Sequence, residues 1–182
     1  MPTFLPYGDC LDLTPPVTLI MRCDNGQWMP ELKTVEHVDV KRYMGTWFEI
    51  AKFPQRFERG LVGVKADYSL LPDGRVRVLN SGYEGDFNGK LKTAKGKARV
   101  VDAATNAKLK VTFFWPFSGN YWILELGKDY EYVVVGDESR KYLWILSRTP
   151  QMDETMYNGL LKRIQEKGFD ISKLEKNPQK QT

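Results

Sequence analysis

Histidine and cysteine are nearly missing from this chain: His37 is the sole histidine, and Cys10 and Cys23 are the two cysteines. All three precede the stretch that reads as the folded body, so no predicted strand carries an imidazole or a thiol. Two cysteines do not make a zinc site, and the body has no ready nucleophile or histidine base. No metal and no cofactor are expected. Cys10 and Cys23 can pair as a disulfide in an oxidising compartment. Long apolar runs are missing as well. The longest near the start, Val17-Thr18-Leu19-Ile20-Met21, is too short for a membrane span or a signal-peptide core. The first residues therefore read as an irregular arm or as what stands in place of a signal sequence. A strong charge of one sign is also missing, with Lys+Arg 27 against Asp+Glu 23 and a net +4. The densest basic stretch holds Lys90, Lys92, Lys95 and Lys97. No aromatic residue interleaves with these lysines to stack on bases, so they read as the solvated face of a hairpin and no nucleic-acid partner is expected.

Aromatic residues, by contrast, make up 13% of the 182 residues and the hydrophobic share is 42%, enough for one domain with a substantial core. Five prolines before residue 31 mark residues 1–37 as an extended N-terminal arm. Short strand-like runs follow at 47–53, 62–71, 75–83, 90–101, 108–114, 120–126, 131–136 and 142–148, separated by turn signals such as Pro72-Asp73-Gly74. Eight such runs with almost no helix between them predict an all-β fold, an eight-stranded antiparallel up-and-down β-barrel.

Alternation gives the facing of the strands. Val64, Ala66, Tyr68 and Leu70 share one side against Lys65, Asp67 and Ser69, and Leu109, Val111 and Phe113 oppose Lys108, Lys110 and Thr112. The first and last runs are apolar on both sides, which calls for a cover outside the barrel. One α-helix from an Asp153 cap to about Lys167, ended by Gly168, supplies it through a stripe of Met156, Leu160, Leu161 and Ile164. Residues 168–171 are expected to add a short final strand, and the polar tail beyond Lys176 is expected to be loose. Gly45 and Trp47 in the first run and Arg148 at the end of the last predict a locked base. There the indole plugs the floor and the guanidinium stacks on it, a contact worth ~1–2 kcal/mol when desolvated.

The Gly-x-Trp/Arg pair, the eight strands and the late helix together resemble the lipocalins. Residues 41–51 (Lys-Arg-Tyr-Met-Gly-Thr-Trp-Phe-Glu-Ile-Ala) and 53–60 are similar to the first conserved block of the bacterial outer-membrane and plant temperature-induced branch of that family. Asp129-Tyr130 falls at the second motif, and residues 139–150, which include Tyr142-Leu143-Trp144-Ile145-Leu146-Ser147-Arg148, resemble the third. The likeness spans residues 38–176, which sets a lipocalin domain between the arm and a polar tail at 177–182. It implies a calyx that holds small apolar molecules, with fatty acids and lysophospholipids favoured in the bacterial branch and roles in envelope lipid maintenance or stress protection. It also implies a place in the cell envelope, either outer membrane or periplasm. Cys23 stands about where the bacterial relatives carry a lipidated cysteine, although Ile20-Met21-Arg22 lacks the small residue that lipoprotein processing needs. The plant branch has no cleaved signal.

Parity carried around the barrel gives the expected inward positions: Ala51, Val64, Ala66, Tyr68, Val76, Val78, Leu109, Val111, Phe113, Tyr121, Ile123, Trp144 and Leu146. Each serves either as ligand contact or as barrel filling, and Gly96 threatens the parity of its own strand with a bulge. Glu49, Asn80 and Glu125 are candidates to point inward, where a carboxylate must be hydrated, paired or protonated. Arg56 and Arg59, in the loop 54–60, are placed either to meet a carboxylate or phosphate at the mouth or as plain surface charges. Trp47 and Arg148 are assigned to structure with Gly45, Asp129 and Tyr130. A noncatalytic carrier is the leading reading. The alternatives are a pigment, tetrapyrrole or retinoid-like ligand, suggested by the aromatic lining, and a lipid isomerase on the same fold, for which Glu49 with a tyrosine is the one faint candidate. Phe114, Trp115 and Phe117 at the rim leave a membrane contact, a monomer or a weak homodimer open.

Overall fold

The computed structural model describes residues 21–24 and 27–180, those up to residue 30 by backbone alone. The expected pairing of Cys10 with Cys23 and the lipidation of Cys23 fall on Cys10 and on the Cys23 side chain, which lie outside what the structure describes. Strands β1 (Met21–Asp24) and β2 (Gln27–Pro30) form an antiparallel hairpin inside the stretch expected to be an extended arm. The chain then crosses the lower end of the barrel, where the Val35 N–H donates to the Ile123 carbonyl and the Val38 N–H to that of Thr105. A one-turn helix α1 (Val40–Tyr43) follows, capped by the Asp39 carboxylate.

The body consists of β3 (Gly45–Lys52), β4 (Leu61–Leu70), β5 (Val76–Glu84), β6 (Leu91–Val100), β7 (Lys108–Phe114), β8 (Phe117–Leu126), β9 (Tyr132–Gly136) and β10 (Leu143–Ser147). Each strand pairs antiparallel with the next, and β10 pairs with β3 to close the ring. This is the predicted eight-stranded barrel. β8 begins three residues earlier than its apolar run suggests, so the β7–β8 hairpin extends to Phe114 opposite Phe117.

Two apolar cores explain the two-sided first and last strands. One, built on Trp47, Tyr68, Val78, Ile123 and Val135, fills the lower interior. The other lies between the barrel wall and α2 (Glu154–Glu166), where Ile50, Leu124, Val134 and Ile145 meet Tyr157, Leu160 and Ile164. The Asp153 carboxylate caps α2 by accepting from the Met156 N–H at 2.9 Å, and Gly168 ends it at φ 84°.

The C-terminal segment departs from expectation. Phe169 packs into the outer core and residues Ile171–Lys173 form a 3-10 turn, so no strand forms at 168–171. The last strand, β11 (Glu175–Lys176), comes later and pairs with β3. Residues 177–179, expected to be loose, are held in place. β3 pairs with β4 through Gly45–Phe48 only, and above that the two strands splay apart. The tail occupies the seam: the Asn177 N–H donates to the Ile50 carbonyl at 2.9 Å and the Gly63 N–H to that of Pro178 at 2.9 Å. The Gln179 amide donates to the carbonyls of Glu49 and Val64. Splayed strands leave buried backbone groups that need partners, and a polar Asn/Gln tail provides them.

Candidate functional site

The closed end is built as the Trp47/Arg148 pair predicts. Trp47 is fully buried and its indole N–H donates to the Tyr43 carbonyl at 3.0 Å. The Arg148 guanidinium carbon lies 3.8 Å from the indole centroid. Its N–H groups donate to the carbonyls of Arg42 (2.8 Å), Thr46 (2.9 Å) and Tyr130 (3.3 Å). Gly45 takes φ 98°, and a Cβ there would stand 3.2 Å from Arg148 Nη1. The Tyr130 hydroxyl accepts from the Asp39 N–H, while exposed Asp129 sits in the turn before β9.

Above this floor three tyrosines form a tier across the barrel. The Tyr121 hydroxyl is bonded to those of Tyr43 at 2.8 Å and Tyr68 at 3.1 Å. Burial raises all three phenols well above their ordinary range, so they stay neutral. Below the tier a void of about 20 Å³ is lined by apolar side chains including Val76, Leu109 and Ile123. Above it opens a cavity of about 490 Å³.

Nine of the predicted inward residues line that cavity: Val64, Ala66, Tyr68, Val78, Val111, Phe113, Tyr121, Trp144 and Leu146. Val76, Leu109 and Ile123 lie below the tier as barrel filling. Ala51 is a correction. It packs in the outer core facing α2 because the β10–β3 register shifts at Ile50, which turns Ala51 out and Lys52 in. Glu125 fails in the same way: a shift in the β8–β9 register follows Ile123, and the carboxylate faces Arg163 and Lys167 on and beyond α2 at 3.2 and 3.0 Å. Gly96 carries no bulge. It stays in register opposite Val78 and leaves room for the Phe113 ring, which would stand 2.9 Å from a Cβ. Arg56 and Arg59 do not line the cavity; they face a separate surface groove shared with residues Glu175 to Pro178. The 3-10 turn Arg56–Glu58 presents Phe57 and Glu58 to the cavity instead. Parity does not reach a turn, so neither residue was legible as lining. The mouth is ringed by Phe57, Phe114 and Phe117, all more than half exposed, with Trp115 beside them at 89%.

Glu49 and Asn80 do line the cup, as expected. Glu49, Lys52 and Glu58 form a buried cluster in its wall. Lys52 Nζ lies 3.2 Å from Glu49 Oε1 and 3.4 Å from Glu58 Oε2, and it donates to the Glu58 carbonyl at 3.2 Å. The Asn177 amide donates to Glu49 at 3.0 Å and the Trp144 N–H to Glu58 at 3.4 Å. Burial, reinforced by the Glu58 charge and only partly offset by Lys52, pushes the Glu49 carboxyl up from 4.5 to about 8. A raised carboxyl favours the folded chain while protonated. That advantage is complete below about pH 4.5, declines as the pH rises, and is gone above about pH 8. Glu49→Gln is therefore expected to flatten the fall in stability between pH 5 and 8, read from urea midpoints; a variant keeping the full wild-type slope counts against this assignment.

The Lipocalin-like domain profile matches residues 38–179. The chain is 44% identical over 161 residues to temperature-induced lipocalin-1 of Arabidopsis thaliana, covering 84% of this chain and 85% of that one. It is 43% identical over 155 residues to the outer membrane lipoprotein Blc of Escherichia coli, covering 85% and 87%. Among solved structures, insecticyanin of the tobacco hornworm Manduca sexta superposes with a TM-score of 0.68 at 22% identity over 84% of this chain and 87% of that one. With the barrel closed, its base locked by Trp47 and Arg148 and its interior open at one end, the chain belongs to the lipocalin family.

Proposed function

We propose that this lipocalin carries or stores single-chain amphiphiles, fatty acids or lysophospholipids, in its barrel without catalysis, in envelope lipid maintenance or stress protection. The observation that carries the reading is the one-ended cavity of about 490 Å³, walled by Val64, Ala66, Val78, Val111 and Phe113 and floored by the tyrosine tier. Burial of alkyl chain yields about 0.8 kcal/mol per methylene, so a dozen methylenes supply about 10 kcal/mol before the costs of association. The exposed aromatic mouth suits loading from or delivery to a lipid surface. Arg56 and Arg59 stand on the outer side of the mouth turn, so any contact they make with an anionic group lies outside the cup. The names of the relatives, an outer membrane lipoprotein and a temperature-induced lipocalin, support an envelope or stress setting.

Native mass spectrometry of the purified protein, followed by denaturing lipid extraction, tests the reading. A one-to-one adduct of single-chain lipid mass is the expected result. A protein that stays empty after incubation with fatty acid and lysophospholipid would sink it.

A further inference from the structure

The polar groups facing the cup are unbalanced in sign. Among the described residues that line it, Glu49, Glu58 and Asp137 are carboxylates, and none is lysine, arginine or histidine. Asp137 is held within its own turn, accepting from the N–H groups of Ser139 and Tyr142. Glu49 and Glu58 share one cation, Lys52, which lies behind them. Its ammonium has three protons and three acceptors on hand: Glu49 Oε1, Glu58 Oε2 and the Glu58 carbonyl. It has no donor left for a ligand's anionic head. Asn80 Oδ1, buried without a hydrogen-bond partner, adds another acceptor to the lining. Beside Glu58 stands the Trp144 ring, stacked on Tyr142 with centroids 6.1 Å apart. An aromatic face next to a carboxylate is a setting that attracts an organic cation.

We propose that the cup selects chains whose polar end carries an ammonium, seated against Glu58, Glu49 and the Trp144 ring, over chains that end in a carboxylate. The inference rests on the reading that an alkyl chain occupies the barrel. It divides the candidate ligands by head chemistry. A free carboxylate would be pressed against Glu58 with no cation in the lining to meet it, whereas an ammonium sets a positive charge beside Glu58 and, once Glu49 ionises, balances the second carboxylate. The preference strengthens with pH. The groups facing Glu49 are Lys52 from its own strand, Glu58 from the mouth turn, Asn177 from the C-terminal segment and the neutral Tyr68 phenol from β4; β10 contributes the uncharged Trp144 and Leu146. As Glu49 gives up its proton above neutrality, the cluster becomes net negative, while an alkyl ammonium, like that of lysine near 10.4, keeps its charge.

Dodecylamine, dodecanol and dodecanoate, each below its aggregation threshold, are to compete for an uncharged fluorescent reporter at pH 7 and pH 9. Dodecylamine is expected to bind roughly tenfold tighter than dodecanoate at pH 7, with dodecanol between them and a wider gap at pH 9. Glu58→Gln, checked for folding by its melting curve, is expected to shrink the amine-to-dodecanoate ratio. Dodecanoate binding as tightly as the amine at both pH values overturns the inference while leaving the chain-carrier reading intact, and so does a ratio unchanged in folded Glu58→Gln. Failure of all three compounds to displace the reporter overturns both.

Discussion

Arg148→Ala is expected to lower stability by about 3 kcal/mol, a fall of roughly 10 °C in melting temperature for a chain of this size. The substitution removes the cation from the face of a fully buried indole and strips the carbonyls of Arg42, Thr46 and Tyr130 of their donors at once. Arg148→Lys should recover only part of the loss, because a point ammonium neither stacks on Trp47 nor reaches three carbonyls in a planar fork. Thermal and urea unfolding of the three proteins check this. The tyrosine tier stands between Arg148 and the cavity, so ligand affinity measured well below the melting point should barely move. A variant with wild-type melting and lost binding would show that the closed end belongs to the site.

Ala66→Trp is expected to have the opposite profile. Ala66 projects from the middle of β4 into the open cavity, beside Tyr68 and opposite Asn80 in the β4–β5 register. An indole there takes the room of several methylenes of a bound chain. At about 0.8 kcal/mol each, loss of four of them costs about 3 kcal/mol, so affinity for a long-chain alcohol should fall roughly a hundredfold. Because the new side chain enters empty space and not a packed core, melting should change little. Calorimetric titration with a long-chain alcohol and a melting scan of the same sample separate the two effects. Undiminished affinity in a folded variant would place the chain elsewhere.

Much of this architecture is legible in the sequence because period-two alternation survives along most of the barrel strands, in β4 and β7 even beside register shifts between Val62 and Lys65 and between Val111 and Phe114. In β4 and β7 the alternation assigns Val64, Ala66, Tyr68, Val111 and Phe113 to the cavity as the structure has them. The misplacements of Ala51 and Glu125 share one cause. Single-residue shifts next to Ile50 and after Ile123 flip parity, and neither leaves a glycine or proline as a marker. Ala51 and Glu125 therefore face α2, and Lys52, next to Ala51, turns inward to its two glutamates. The seam between β3 and β4 is equally hidden. Nothing in the composition of residues 175–179 says that a polar tail replaces missing strand pairing, since its partners lie more than 110 positions away along the chain. Phe57 and Glu58 reach the cavity from a 3-10 turn, where no periodicity applies.

The position of the bound chain is read most directly by NMR with a stearic acid or stearyl alcohol carrying a nitroxide near its methyl end. A chain that enters through the aromatic mouth and descends to the tyrosine tier brings the label next to Tyr68, Val78 and Tyr121. Signals from those residues should broaden first, at one equivalent, and those of α2 should be spared. Broadening confined to Phe114, Trp115 and Phe117 at the rim, or spread evenly over the outer surface, would contradict a chain held inside the barrel.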